Sequence, residues 1–235
     1  MRTFIPFVLL TVILSSCQTF QYLTVASDNT SHNEKNEFVA ESDTLRITYN
    51  FNGKNGPVNI HIYNKSSQAL EVDWKRSSLI IGEKPFSFYN PDLRVEGNIA
   101  RSVVQRTTGS ESSLNATIRG QEGVEFLPPQ SSIVRSGLYI RKGLLDTRSV
   151  TTRKEVIAKT GTKVTKASFS KTNSPILFRC YLTFVVPGSG QTIFATEHSF
   201  YVIELTESMA QPQYVIPEHT KAGDKFFVAG LPLRY

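Results

Sequence analysis

The chain has 235 residues, 26 Lys and Arg against 20 Asp and Glu, and a formal net charge of +6. A hydrophobic content of 40% is enough for a sizeable core, and 15 Phe and 9 Tyr lean toward strands. Two cysteines exclude a scaffold held by several disulfides, so stability rests on that core.

The first element is a short apolar run, Phe4 to Leu14, behind the single basic residue Arg2. It has eleven residues and contains Pro6, against the ~20 that a spanning helix needs. A basic start, an apolar middle and small residues before a cut are the parts of a secretory signal, removed rather than retained. The run ends Leu14-Ser15-Ser16-Cys17, which resembles the bacterial lipobox. That resemblance implies that Cys17 is diacylated and becomes the first residue of the mature chain. Two or three acyl chains give stable anchoring where one gives marginal binding. The alternative is an ordinary secretory signal with a cysteine near the cut. Without residues 1–16, 219 residues remain and the charge is +5. That size suits one large β domain, with no cofactor implied.

Residues 17–41 read as the acylated cysteine and a flexible tether, because Ser27 to Asn36 is almost wholly polar. The domain then starts at residue 42. Leu45, Ile47, Tyr49 and Phe51 alternate with Arg46, Thr48 and Asn50, and Val58, Ile60 and Ile62 alternate with Asn59, His61 and Tyr63. Gly53-Lys54-Asn55-Gly56 joins the two runs, so they predict a β-hairpin. A third strand carries Leu70, Val72 and Trp74 on one face, with Trp74 as a core anchor. Leu79 to Ile81 and Phe86 to Tyr89 continue the β pattern.

Asp92 to Gly123 is rich in Ser, Thr, Gly and Asn and reads as a long loop or a weak edge hairpin. Phe126 to Ile133 bends into a new strand, followed by Ser136 to Ile140. Between Arg135 and Lys171 ten basic residues face two acidic ones, a local charge of +8. Lys159-Thr160-Gly161-Thr162 is a candidate hairpin turn. One reading is a solvated insertion, about 141–171, whose charge blunts a sheet edge. The other is a patch for an anionic partner, formed by Arg141, Lys142, Arg148, Arg153, Lys154, Lys159, Lys163 and Lys166. A nucleic-acid partner does not suit this compartment.

In the last third, Ile176, Phe178, Cys180, Leu182 and Phe184 share one face, so Cys180 is a small core residue. Gln191 to Ala195 and Ser199 to Leu205 predict two further strands. Tyr214 to Pro217 and Phe226 to Gly230 predict edge strands or a C-terminal strap.

Chemistry-bearing motifs are sparse. His32, His61, His198 and His219 have no ligand spacing, and neither metal-site nor nucleophile-elbow patterns occur. An enzyme would need a composite site, drawn from carboxylates such as Asp73, Asp92 and Glu96. Asp43-Thr44-Leu45 resembles the Asp-Ser/Thr-aliphatic O-glycosylation motif of exported Bacteroidota proteins and marks Thr44.

Two patches resemble a group of Bacteroidota envelope lipoproteins of uncharacterised function. They are Val58 to Ile81, with Leu70-Glu71-Val72-Asp73-Trp74-Lys75-Arg76-Ser77, and Asn173 to Thr183 followed by Phe200-Tyr201-Val202-Ile203. The first patch, with Leu127-Pro128-Pro129-Gln130-Ser131-Ser132, is also similar to immunoglobulin-like modules. The match spans about a third of the chain, and no activity transfers with it. Surface-exposed lipoproteins of Bacteroidota often carry an acidic run after the lipidated cysteine. Here Gln18-Thr19-Phe20-Gln21 stands in its place, which implies a periplasm-facing outer-membrane anchor. The expectation is an immunoglobulin-like β-sandwich of about eight strands on a tether, serving as a non-enzymatic binding or assembly module. The rival is a lipoprotein that binds an anionic glycan or lipid headgroup, and a hydrolase is the third reading.

Overall fold

The computed structural model describes residues 18–89, 123–147, 150, 152–188, 190, 192–215 and 222–231. In chain order the strands are β1 (Thr19–Ser27), β2 (Ser31–His32), β3 (Phe38–Glu41), β4 (Leu45–Asn50), β5 (Pro57–Asn64), β6 (Leu70–Ile81) and β7 (Lys84–Ser87). There follow β8 (Val124–Leu127), β9 (Ser132–Tyr139), β10 (Lys154–Ile157), β11 (Lys163–Ser168), β12 (Leu177–Val186) and β13 (Thr192–Ser208). One helical turn, α1 (Pro212–Val215), precedes β14 (Lys225–Gly230). The strands form two antiparallel sheets. Sheet A has nine strands, with β10-β11-β13-β12-β6-β7 as its main path and β1, β8 and β14 alongside. Sheet B has five, in the order β2-β3-β4-β5-β9. The protein is all-β, and the two-sheet arrangement is that of a sandwich.

The predicted hairpin is β4 and β5, with Ile47 opposite Ile62 and Tyr49 opposite Ile60. All four are buried. Its turn closes on β14. Gly56 has φ +65, and an added Cβ would stand 2.9 Å from a ring carbon of Phe226. Gly161, in the β10–β11 turn, has φ +84 and open space around it. Gly161→Ala is therefore expected to cost about 1 kcal/mol, from backbone strain alone. Gly56→Ala is expected to cost about 2–4 kcal/mol, because overpacking adds to the strain. Urea midpoints of the two variants test that order.

Aromatic rings lock the sheets together. Phe51, from the strand end after β4, lies 5.0 Å from Phe200 and 5.2 Å from Phe178. Phe38 and Tyr49 each lie 5.2 Å from Phe200. Such pairs add ~0.5–1.5 kcal/mol each beyond burial. Trp74 and Cys180 are wholly buried in the same core, as expected. Burial pushes the Cys180 thiol well above its ordinary value.

Several expectations are corrected. The residues read as a flexible tether form strands, and β1 is buried almost throughout. Leu23 and Val25 enter the core between the sheets, while Phe20 and Tyr22 enter a second cluster with Val164 and Val215. The domain therefore begins at Thr19, not residue 42. The polar stretch after β1 folds locally, with Asn33 Oδ1 accepting from the amides of Lys35 and Glu37 at 2.9 and 3.0 Å. The strand count is fourteen among the described residues, not about eight. Residues 192–208 form one strand, because β1 takes over as neighbour where β12 ends, from Phe200 onward. The stretch at Tyr214 is a helical turn rather than a strand. The basic stretch supplies β10 and β11, and β11 pairs with β13 as part of sheet A. β10 stands at the edge of that sheet. The segment 92–122 lies outside the described residues.

Candidate functional site

Most sheet edges are closed or blunted. β2 has two residues, β7 carries Lys84 and Pro85, and β10 begins with Lys154 and Glu155. β14 is covered on its outer side, where the Asn55 amide donates to the Phe227 carbonyl at 2.7 Å and the Phe227 amide donates to Gly53 at 3.1 Å. These are the usual devices that stop a sheet from pairing with another chain. β9 differs. It is eight residues long and pairs only with β5 among the described residues. A bulge splits its pairing, leaving Ser132 to Arg135 as one regular stretch. On its outer face Val134 is 67% exposed. Beside it the outer face of sheet B holds a shallow depression of about 670 Å³, lined by Glu37, Arg46, Thr48, Asn50, His61 and Val134.

The basic residues of the candidate patch are partly neutralised. Arg153 pairs with Glu207 at 3.3 Å, Lys163 with Glu155 at 2.7 Å and Lys166 with Glu204 at 2.9 Å. Arg141 donates to the carbonyls of Gly143 and Leu144 at 3.3 and 3.1 Å. Lys142, Lys154 and Lys159 are exposed and have no ion pair among the described residues. Arg148 lies outside those residues. The structure thus gathers the hairpin cations at one side of sheet A and sets carboxylates beside three of them. Arg135 lies in the interior, and its guanidinium stacks 4.4 Å over the Trp74 ring. Thr44 is exposed in the β3–β4 turn, open to modification. Cys17 and His219 lie outside the described residues.

A cleft of about 470 Å³ opens between β2–β3 and β13, with Thr196 and His198 on its wall. His198 Nδ1 lies 2.7 Å from the hydroxyl of the wholly buried Tyr49. Nearby, Asp28 accepts from Lys171 at 2.5 Å and from Tyr201 at 2.8 Å. The Lys171 and Tyr201 hydrogen bonds hold the Asp28 carboxyl below its ordinary range. Sequence reasoning missed the Tyr49–His198 pair, because 149 residues separate its members and neither belongs to a motif.

Burial lowers the His198 pKa below its ordinary 6.5. The unfolded chain therefore binds more protons than the fold between those two values, and stability rises with pH across that window. Stability is expected to fall as pH drops below 6.5 and to be unaffected by His198 above it. Replacement of His198 by Gln should flatten that acid limb in urea titrations at pH 5 and pH 7. An unchanged slope would remove His198 as its source.

Among the described residues no three His, Cys, Asp or Glu side chains come together as a metal site would require. Asp73 is held by its own strand, its Oδ1 accepting from the Lys75 and Arg76 amides at 3.0 and 3.1 Å. Asp92 and Glu96 lie outside the described residues. No described helix is long and apolar enough to cross a membrane. The chain matches no family model, no curated protein and no solved structure.

Proposed function

We propose that the protein is a lipid-anchored envelope lipoprotein of a Bacteroidota cell that docks another envelope protein without chemistry of its own. Acyl chains on Cys17 hold it in the outer membrane, facing the periplasm, and an immunoglobulin-like sandwich is its scaffold. The lipobox-like Leu14-Ser15-Ser16-Cys17 supports the anchor. The edge of β9 supports the docking reading, because among the described residues β9 pairs with β5 alone and carries the exposed Val134. An extended segment of a partner would add there as a strand, with main-chain bonds giving affinity and side chains giving choice.

A photo-crosslinking residue at Val134, in the full chain in its own membranes, tests this. One protein should be captured from position 134 and not from Phe86, an exposed edge residue of β7. Equal capture at both positions, or none, sinks the edge reading. The alternative, a lipoprotein for an anionic glycan or lipid headgroup, draws on Lys142, Lys154 and Lys159. Reversing those three charges breaks no ion pair seen in the structure. It should abolish a salt-sensitive anionic interaction and leave the crosslink at position 134 intact.

A further inference from the structure

The end of sheet A that receives Cys17 differs from the rest of the surface. Only Gln18 separates Cys17 from the fixed strand β1. The register sets Thr19 beside Gly230 and Phe20 opposite Ser208. β13 and β14 therefore both leave the sheet at this end, into Met209 and Leu231. β11 sets Thr165 opposite Glu207, which carries Lys163 and the turn before it to the same end. Thr162 Oγ1 donates to the Tyr214 carbonyl at 3.1 Å and fastens α1 there. Leu144 rests over Gly230, and Lys142 lies two residues before it in the chain.

Four large apolar side chains project at this end: Ile157 at 76% exposure, Leu231 at 68%, Met209 at 67% and Tyr214 at 59%. Elsewhere among the described residues only Val134 and Phe126 are as much as half exposed. Lys163 stands opposite Ile157, Lys159 lies in the turn between them, and both are exposed, as is Lys142. Lys163 pairs with Glu155, but both partners are about seven-tenths exposed, so screening leaves that cation available. Apolar tips, a tyrosine and lysines around an anchor point match the layers of a bilayer surface, where tyrosine sits at headgroup level and lysine meets phosphate.

We infer that this end is a bilayer-contacting rim, with Ile157, Met209, Tyr214 and Leu231 entering the headgroup layer and Lys142, Lys159 and Lys163 meeting lipid phosphates. The inference rests on acylation of Cys17. With no tether, the acyl chains hold the rim against the surface, and the two signals together fix an orientation that acyl chains alone would not. The eight steps between the first and last of β1's nine residues, at about 3.3 Å each, set its far end about 26 Å from the rim.

The test uses the full acylated chain in vesicles of phosphatidylethanolamine and phosphatidylglycerol. Nitroxide labels are placed at Met209→Cys, Leu231→Cys and, level with the far end of β1, Leu177→Cys. Cys180 is wholly buried and does not compete. The rim labels should collide severalfold less with a water-soluble nickel complex, and more with oxygen, than the label at position 177. Reversal of Lys142, Lys159 and Lys163 should raise the nickel collisions at position 209. Rim labels with the profile of position 177, in protein whose Cys17 carries acyl chains by mass spectrometry, overturn the rim and leave the anchor standing. An unmodified Cys17 overturns both.

Discussion

Leu23→Asp is expected to leave the domain unfolded in dilute buffer at 25 °C, whereas Glu34→Ala, eleven residues on, is expected to leave stability unchanged. Leu23 is wholly buried between the sheets, in the middle of β1. Its truncation to alanine alone should cost about 2–5 kcal/mol, from lost burial and the cavity left behind. A carboxylate there adds the cost of an unpaired buried charge, several kcal/mol more. The sum is comparable with the ~5–15 kcal/mol that holds a whole domain. Glu34 is exposed in the turn before β3, where substitutions stay within about 0.5 kcal/mol. The readout is a urea titration followed by Trp74 fluorescence. A Leu23→Asp protein with the parent midpoint would put residues 19–27 outside the sandwich and restore a tether. It would also remove the rim, because the rim depends on a strand that begins one residue after Gln18.

That strand was the part of the fold least legible in the sequence, and the reason is physical. From Leu45 to Ile81 one face of each strand meets the other sheet and one meets water, so the chain alternates and its register can be read. β1 is buried on both faces, with Phe20 and Tyr22 on one and Leu23 and Val25 on the other. A strand of that kind has no polar face to betray it. Its one strongly polar residue, Gln21, is buried as well. Its side-chain nitrogen donates to the Leu145 carbonyl at 2.9 Å, and its oxygen accepts from the Leu145 amide at 2.6 Å. Those partners are 124 residues away, beyond any local pattern. The polar stretch after Ser27 then made the whole segment look unable to order itself. The basic stretch misled differently. Its charge count is real, but β11 carries Val164 and Ala167 inward, and the carboxylates that pair its cations belong to β13, apart from Glu155. Charge is legible in a sequence, whereas its neutralisation by a distant strand is not. The Cys17 motif was legible because it is local, and the surroundings of the strand that follows it were not, since they come from β11, β13 and β14.

Arg135 supplies the second large effect, and its variants separate stacking from charge. Its guanidinium lies over Trp74, and the indole nitrogen of Trp74 donates to Glu125 at 2.8 Å. Arg135 is 5% exposed. Burial pushes its pKa down, and the Glu125 carboxylate acts against that fall. A desolvated guanidinium over tryptophan is worth ~2 kcal/mol, and the alkyl stem packs as well. Arg135→Ala should therefore cost about 2–4 kcal/mol. Arg135→Met restores the packed volume without a charge that must be taken out of water, so it is expected to recover most of that loss. Arg135→Lys keeps the charge, but its compact ammonium cannot lie flat on the ring, and it is expected to fall between them. Arg135→Glu brings a buried carboxylate near Glu125 and is expected to prevent folding. The measurements are urea midpoints and the emission maximum of Trp74, which should move only where the stacked group is lost. If Lys matches the parent while Met is as damaging as Ala, charge rather than stacking holds Arg135 in place. If all four variants keep the parent midpoint, the contact between β9 and β6 through Trp74 is not a source of stability. The open edge of β9 would then rest on a strand less firmly held than its neighbours, and the crosslink at Val134 would report a mobile segment instead of a preformed docking edge.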